Sequence, residues 1–234
     1  MHIPVFVTTN RRPEFKHGLF AADYEGTLLA GEFMEALGNA LAGVYTELDG
    51  SRVSMKAYME AITQRGMRGE LPFDASLRLR LEEITKYMNL EEMKAVVAGI
   101  PLRTGAREAL MELEKYHDII VVSGGIYPLV EHSLSTHGIG VDYVAASGIK
   151  CNGRLQDVYP LTDKSLPLKQ LMQQHPYGWL VAMGDGANDR QMKGVANRFI
   201  WVCPKDGLAE DRDIVIGGDL SVVPQLLREL YGLK

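Results

Sequence analysis

Cysteine is almost absent. Cys151 and Cys203 are the only two in 234 residues, far apart and outside any Cys-x-x-Cys pair. That excludes a disulfide-stapled scaffold and a cysteine zinc site, and two plain thiols suit a reducing, cytoplasmic compartment. A basic surplus is missing too. Against 25 Lys and Arg stand 30 Asp and Glu, a formal charge of −5. Binding along a phosphate backbone calls for a concentrated basic face, so nucleic acid is not the expected partner. No apolar run reaches the ~20 residues that span a bilayer. The basic pair Arg11-Arg12 follows the apolar stretch of MHIPVFVTTNRR, the reverse order of a secretion signal, so no membrane is expected either. Repeats and low-complexity tracts are also lacking. What remains, 46% hydrophobic and 24% charged residues, is the balance of a globular protein, long enough for one domain or two.

Hydrophobic period divides the chain into three. Residues 1–16 form a short extension, in which His2 to Thr8 reads as an edge strand and Asn10 to Pro13 as a turn. HGLFAAD, His17 to Asp23, is a buried strand. From residue 33 to 99 apolar residues recur at three- and four-residue intervals in EFMEALGNALAGVYTEL, VSMKAYMEAI and LRLRLEEITKYM. Asn89 with Glu92 three residues on forms a capping box for LEEMKAVVAG. An all-helical insert of about four helices, without a strand, is expected there. After Pro101 strands and helices alternate. IIVV runs into Ser123-Gly124-Gly125, VDYVAA is a strand, and Asn152-Gly153 signals a hairpin. WLVAM, RFIWV and DIVI are further buried strands, and Ser221 is the expected N-cap of a closing helix. The fold class is therefore α/β: a doubly wound, Rossmann-like parallel sheet built from residues 17–32 and 100–234, with an inserted helical cap over 33–99.

Ligands of open parallel sheets collect at the carboxyl ends of the strands. Three strings fall there: Asp23-Tyr24-Glu25-Gly26-Thr27, Ser123-Gly124-Gly125 and Gly184-Asp185-Gly186-Ala187-Asn188-Asp189. Each alone is an ordinary turn. Together they bring carboxylates to one rim, where they repel unless a cation sits between them, and oxygen ligands suit Mg²⁺. Ser123, the amides around Gly124 and Gly125, and Lys164 supply donors for an anion. Such a clamp stabilises charge in phosphoryl transfer, with Asp23 as a carboxylate nucleophile.

In this order the three strings, with Lys164 between the second and the third, resemble the haloacid dehalogenase superfamily, and the helical insert after the first string is similar to its phosphoserine phosphatase-like branch. The likeness runs from about Leu19 to the C-terminus. It implies Asp23 as nucleophile and Glu25 as general acid/base, with Mg²⁺ held by Asp23, Asp185 and the Glu25 main-chain carbonyl. Thr27 would brace the loop and Asp189 would support metal or lysine. Ser123, Gly124, Lys164 and Asn188 would bind phosphate. The string Met67-Arg68-Gly69-Glu70-Leu71-Pro72-Phe73 through Arg80 matches the branch's cap pattern. By that resemblance Arg80 would fork onto a substrate carboxylate, Glu32 would take its ammonium, and Met67 and Phe73 would close an apolar lid.

One position departs from the pattern. Glu25 stands where the family's second acid is usually Asp, and phosphoserine–homoserine phosphotransferases look similar there. The implied activity is hydrolysis of O-phosphoserine. The alternatives are transfer of its phosphate to an alcohol such as homoserine, or hydrolysis of another small phosphorylated metabolite. A phospho-accepting receiver domain combines similar groups in about half the length, without the insert.

Overall fold

The protein is described by a computed structural model, which covers residues 5–8, 16–151, 155–204 and 207–231. The buried strand read from HGLFAAD is β2 (Gly18–Ala22), following β1 (Val5–Thr8). Alternation decides its two faces. Phe20 and Ala22 join one apolar cluster, and Leu19 and Ala21 join the other. Because β2 is covered on both sides, it reads as a continuous apolar run. The same holds for β5 (His117–Ile126), where Ile119 and Val121 oppose Ile120 and Val122, and for β8 (Trp179–Gly184).

Between β2 and β5 lie α1 (Phe33–Ala40), β3 (Tyr45–Leu48), β4 (Ser51–Ser54), α2 (Met55–Met67), α3 (Phe73–Ile84) and α4 (Leu90–Val97), then α5 (Ala106–Leu113). After β5 come α6 (Tyr127–Thr136), β6 (Tyr143–Cys151), β7 (Leu155–Tyr159) and α7 (Ser165–Gln174). Past β8 the chain forms α8 (Arg190–Lys193), β9 (Arg198–Val202), β10 (Ile214–Ile216) and α9 (Val223–Tyr231). The main sheet has the order β1-β6-β5-β2-β8-β9-β10, with β7 paired to β6. From β6 to β10 all neighbours run parallel, and β1 lies antiparallel on β6. Helices α5, α6 and α9 pack on one face, α7 and α8 on the other. The chain builds outward from β2 to one side, then crosses to the other. The strand order therefore reverses at β2, and its carboxyl end opens the crevice where such sheets bind ligands.

The insert carries the expected four helices, but it is not all-helical. Tyr45–Leu48 and Ser51–Ser54 form an antiparallel hairpin, so the helix expected through EFMEALGNALAGVYTEL stops at Ala40. The reason is the Asp49-Gly50 turn. Both residues have positive φ, +49° and +79°, the geometry of a type I′ turn, whose twist matches paired strands. Arg52 stacks 4.6 Å over the Tyr45 ring, and Thr46 Oγ1 donates to Glu83 Oε1 on α3 at 2.6 Å. Ser54, at the end of β4, caps α2 by accepting from the Ala57 N–H at 3.3 Å. The cap helices bury Phe33, Leu37, Met59, Ile62, Leu77, Leu81 and Val97 in the same cluster as one face of the main sheet. The cap therefore shares its core with the sheet.

The capping box at α4 is present: Asn89 Oδ1 accepts from Glu92 N–H at 3.0 Å, and Glu92 Oε2 accepts from Asn89 N–H at 2.8 Å. Asn89→Ala is expected to cost about 1 kcal/mol, read as a lower urea midpoint with unchanged m-value. Ser221 is not the expected N-cap. Asp219 accepts from the Ser221 N–H at 3.0 Å and caps a 3₁₀ turn, Leu220–Val222, ahead of α9. The carboxylate reaches an N–H two residues on, and Ser221 lies already inside the turn. VDYVAA and the first arm of the Asn152-Gly153 hairpin form one continuous strand, β6, which pairs with β7. Asn152-Gly153 and the Asn10–Pro13 turn lie outside the described residues. Among the described residues no helix is long and apolar enough to cross a membrane.

Candidate active site

Register brings the three strings together. Ala22 of β2 pairs with Val121 of β5 and Met183 of β8. Asp23 is therefore level with Val122 and Gly184, and Ser123 and Asp185 stand one residue beyond it on either side. The carboxylates of Asp23, Asp185 and Asp189 have ligand atoms within 4.8 Å of one another, all buried. The two expected metal ligands, Asp23 and Asp185, thus lie close enough to share an ion.

Lys164 is the countercharge. It is 2% exposed, immediately ahead of α7. Its Nζ donates to Asp23 Oδ1 at 2.6 Å and to Asp189 Oδ1 at 2.7 Å. Burial works against its charge, but Asp189 and Asp23 outweigh it and raise the ammonium above the ordinary lysine range. Burial, and then the like charge of Asp189, push the Asp23 carboxyl well up, against the pull of Lys164. Three carboxylates against one ammonium leave a deficit of positive charge, and a divalent cation fits that deficit. Asp189 is already engaged at both oxygens, since Oδ2 accepts from the N–H groups of Asp185 and Gly186 at 3.0 and 2.9 Å. Besides holding Lys164, it braces the loop after β8. Asp23 and Asp185 are linked through Thr27, whose Oγ1 lies 2.9 Å from Asp185 Oδ1 and 3.3 Å from Asp23 Oδ2.

Glu25 turns away from this group. Its Oε2 accepts from Phe33 N–H at 2.7 Å, and its Oε1 accepts from Ser123 Oγ at 3.4 Å. Burial, followed by the negative charge of Glu32, raises its carboxyl to about 7. Two glycines make room for the loop. A Cβ at Gly125 would fall on Glu25 Oε1, and Gly26, at φ +77°, would drive one into the Asp185 carboxylate. The Gly125 N–H was expected to face an anion. It instead donates to Ser123 Oγ at 3.0 Å, two residues back within β5.

A cavity of about 720 Å³ opens over the site. Asp23, Glu25, Glu32, Met67, Phe73, Arg80, Gly124, Lys164, Asp185 and Asn188 all line it. Ser123, Thr27 and Asp189 lie behind that wall, each fully buried. Phe73 reaches over the β5 loop, close enough that a Cβ on Gly124 would come within 3.1 Å of its ring. Met67 is 66% exposed. Arg80 comes from α3, and burial lowers its guanidinium despite the nearby Glu25 and Glu32. Arg78, two residues before it, does not line the cavity, but pairs with Asp157 of β7 at 2.8 Å and ties cap to core.

Arg103 escaped the sequence reading. Its Nε and Nη2 donate to the Gly26 main-chain carbonyl at 2.9 and 2.6 Å. It lies where the chain returns from the cap, with Leu102 bridged to Leu29. Nothing in the spacing of Pro101-Leu102-Arg103 announces this, because the contact joins residues 77 apart.

The family model of haloacid dehalogenase-like hydrolases matches residues 20–193, and the chain belongs to that family. Within it, the chain falls in the phosphoserine phosphatase-like branch. It is 31% identical over 198 residues to a phosphoserine phosphatase of Halobacterium salinarum, covering 81% of this chain and 88% of that one. A phosphoserine phosphatase of Streptococcus thermophilus is 32% identical over 197 residues, covering 80% and 85%. A solved substrate-bound phosphoserine phosphatase complex superposes with a TM-score of 0.73 at 27% identity, covering 92% of this chain and 99% of that one.

Proposed function

We propose that this phosphatase is a Mg²⁺-dependent enzyme that hydrolyses O-phosphoserine to serine and phosphate through an aspartyl-phosphate on Asp23. The observation that carries the reading is the buried Asp23 carboxylate, held on one oxygen by Lys164 and set beside Asp185. The core comprises 17–32 and 100–234, the cap 33–99, and residues 1–16 an extension whose β1 lies along the core sheet. Cys203, free and exposed, supports a cytoplasmic location, where thiols stay reduced.

Asp23, Asp185 and the Glu25 main-chain carbonyl would hold Mg²⁺. When bound, the ion supplies positive charge against the phosphoryl oxygens and offsets the crowded carboxylates. The chain's own groups do the rest. Arg80 and Glu32 hold the substrate's carboxylate and ammonium, while Phe73 and Met67 cover the phosphorus from solvent. Asp23 attacks phosphorus, and Lys164 favours its charged form against the burial that raises it. Gly124, Lys164 and Asn188 line the cavity toward the phosphoryl oxygens, and Ser123, the further phosphate donor of this reading, stands directly behind them. Glu25, with a carboxyl near 7, gives its proton to the departing serine oxygen, then takes one from the water that attacks the aspartyl-phosphate.

Asp23→Asn removes the nucleophile, and phosphate release from O-phosphoserine is expected to fall at least ~10³-fold. Removing Mg²⁺ with a chelator is expected to silence the wild type as well. No release from any phosphomonoester at saturating Mg²⁺ would overturn the proposal. Glu25 in place of Asp favours a second reading, in which the attacking group is an alcohol. Adding homoserine and looking for a phosphorylated acceptor separates the two.

A further inference from the structure

Arg80 folds back along α3, and its Nε donates to the Ser76 main-chain carbonyl, one turn earlier, at 3.1 Å. Across the cap, on α2, Thr63 Oγ1 accepts from Arg80 Nη1 at 3.3 Å. Thr63 and Arg80 both line the cavity. These two anchors fix the plane of the guanidinium, and among the described residues no hydrogen bond engages Nη2. A guanidinium fork binds a carboxylate through two parallel N–H bonds only when its plane is set beforehand, since its long stem otherwise loses rotamer freedom on binding.

Thr63 is suited to setting it. Its neighbours Ile62 and Met59 are buried at 1% and 2% exposure, so its main chain is fixed by the cap core. Its branched side chain is confined to two χ1 rotamers in a helix. The hydroxyl is therefore presented from a rigid wall, whereas the Arg80 stem is flexible.

We propose that Thr63 is a positioning residue that selects phosphoesters bearing a carboxylate, by orienting the open edge of the Arg80 fork. This rests on the amino-acid reading of the site. The test compares O-phosphoserine with O-phosphoethanolamine, which keeps phosphoester and ammonium but lacks the carboxylate, for wild type, Thr63→Val and Thr63→Ser. Thr63→Val keeps the shape and removes the acceptor. It should raise KM for O-phosphoserine about tenfold, the value of one charge-assisted hydrogen bond, with kcat within about twofold. The selectivity over O-phosphoethanolamine should shrink by the same factor, and Thr63→Ser should restore it. Thermal melts of both variants verify folding. Wild-type selectivity retained in Thr63→Val, or kcat lost alike on both substrates, overturns the role of Thr63 alone. A wild type that does not prefer O-phosphoserine to O-phosphoethanolamine overturns the amino-acid reading, and this proposal with it.

Discussion

Lys164→Met is expected to destabilise the protein by about 3–5 kcal/mol near pH 8 and to end phosphate release. Breaking a buried ion pair from one side leaves uncompensated charge, and the cost is of that size. Here two carboxylates are stranded, Asp23 and Asp189, each less than a tenth exposed. The loss depends on pH in a definite direction. In the variant the Asp23 carboxyl, already raised by burial, also loses the pull of Lys164, so its pKa lies further above the unfolded ~3.9. Between the two values the folded state binds more protons than the unfolded chain, and stability falls as pH rises. Urea unfolding at pH 5 and pH 8 therefore shows the larger deficit at pH 8. Asp189→Asn in the same background removes one stranded charge and recovers part of it. A deficit equal at both pH values, or below about 1 kcal/mol, would show that Lys164 is not the countercharge of this group.

Glu25→Gln has the opposite sign in stability and a large effect on rate. The Glu25 carboxyl is raised from its ordinary value to about 7 by burial and by Glu32. A raised carboxyl costs the fold stability as pH climbs from the unfolded value through about 7, and above that the cost is complete. The shift corresponds to roughly 3 kcal/mol at 1.36 kcal/mol per unit. Partial exposure of the side chain reduces this to about 2 kcal/mol. Gln cannot ionise, so the variant should melt higher than wild type at pH 8 and no higher at pH 4. Its turnover of O-phosphoserine should drop ~10²–10⁴-fold, the usual contribution of a placed acid and base. With p-nitrophenyl phosphate, whose leaving group departs without a proton, the loss should be smaller. In the wild type the same acid makes cleavage of the serine ester decline above about pH 7, while the aryl ester holds further. Equal losses on both esters would deny Glu25 the role of acid.

The hairpin in the cap illustrates what a local signal is worth. Asp49-Gly50 stood in the sequence as a turn marker, but the three- and four-residue spacing of apolar residues before it continued into Val44, Tyr45 and Leu48. Helical period therefore runs straight through it in the sequence. The turn instead folds Arg52 back over the Tyr45 ring, and Thr46 is held by Glu83, 37 residues away on α3. The box at Asn89, by contrast, is closed within four residues, and reading it required nothing distant.

Local sequence determined the buried strands of the main sheet, because a run buried on both faces is apolar without alternation, and it determined the order in which Asp23, Ser123, Lys164 and Asp185 meet the rim. It also marked Glu25 as the departure that matters. Tertiary structure alone decided that Asp189 spends both oxygens on Lys164 and the β8 loop, that Arg103 grips the Gly26 carbonyl, and that Thr63 holds Arg80. It also decided the protonation of Glu25, since desolvation is a property of the packed site and not of the residue. Hydrogen bonds across 17 to 98 residues of chain leave no periodicity to read, and they come into being only when the sheet closes its register.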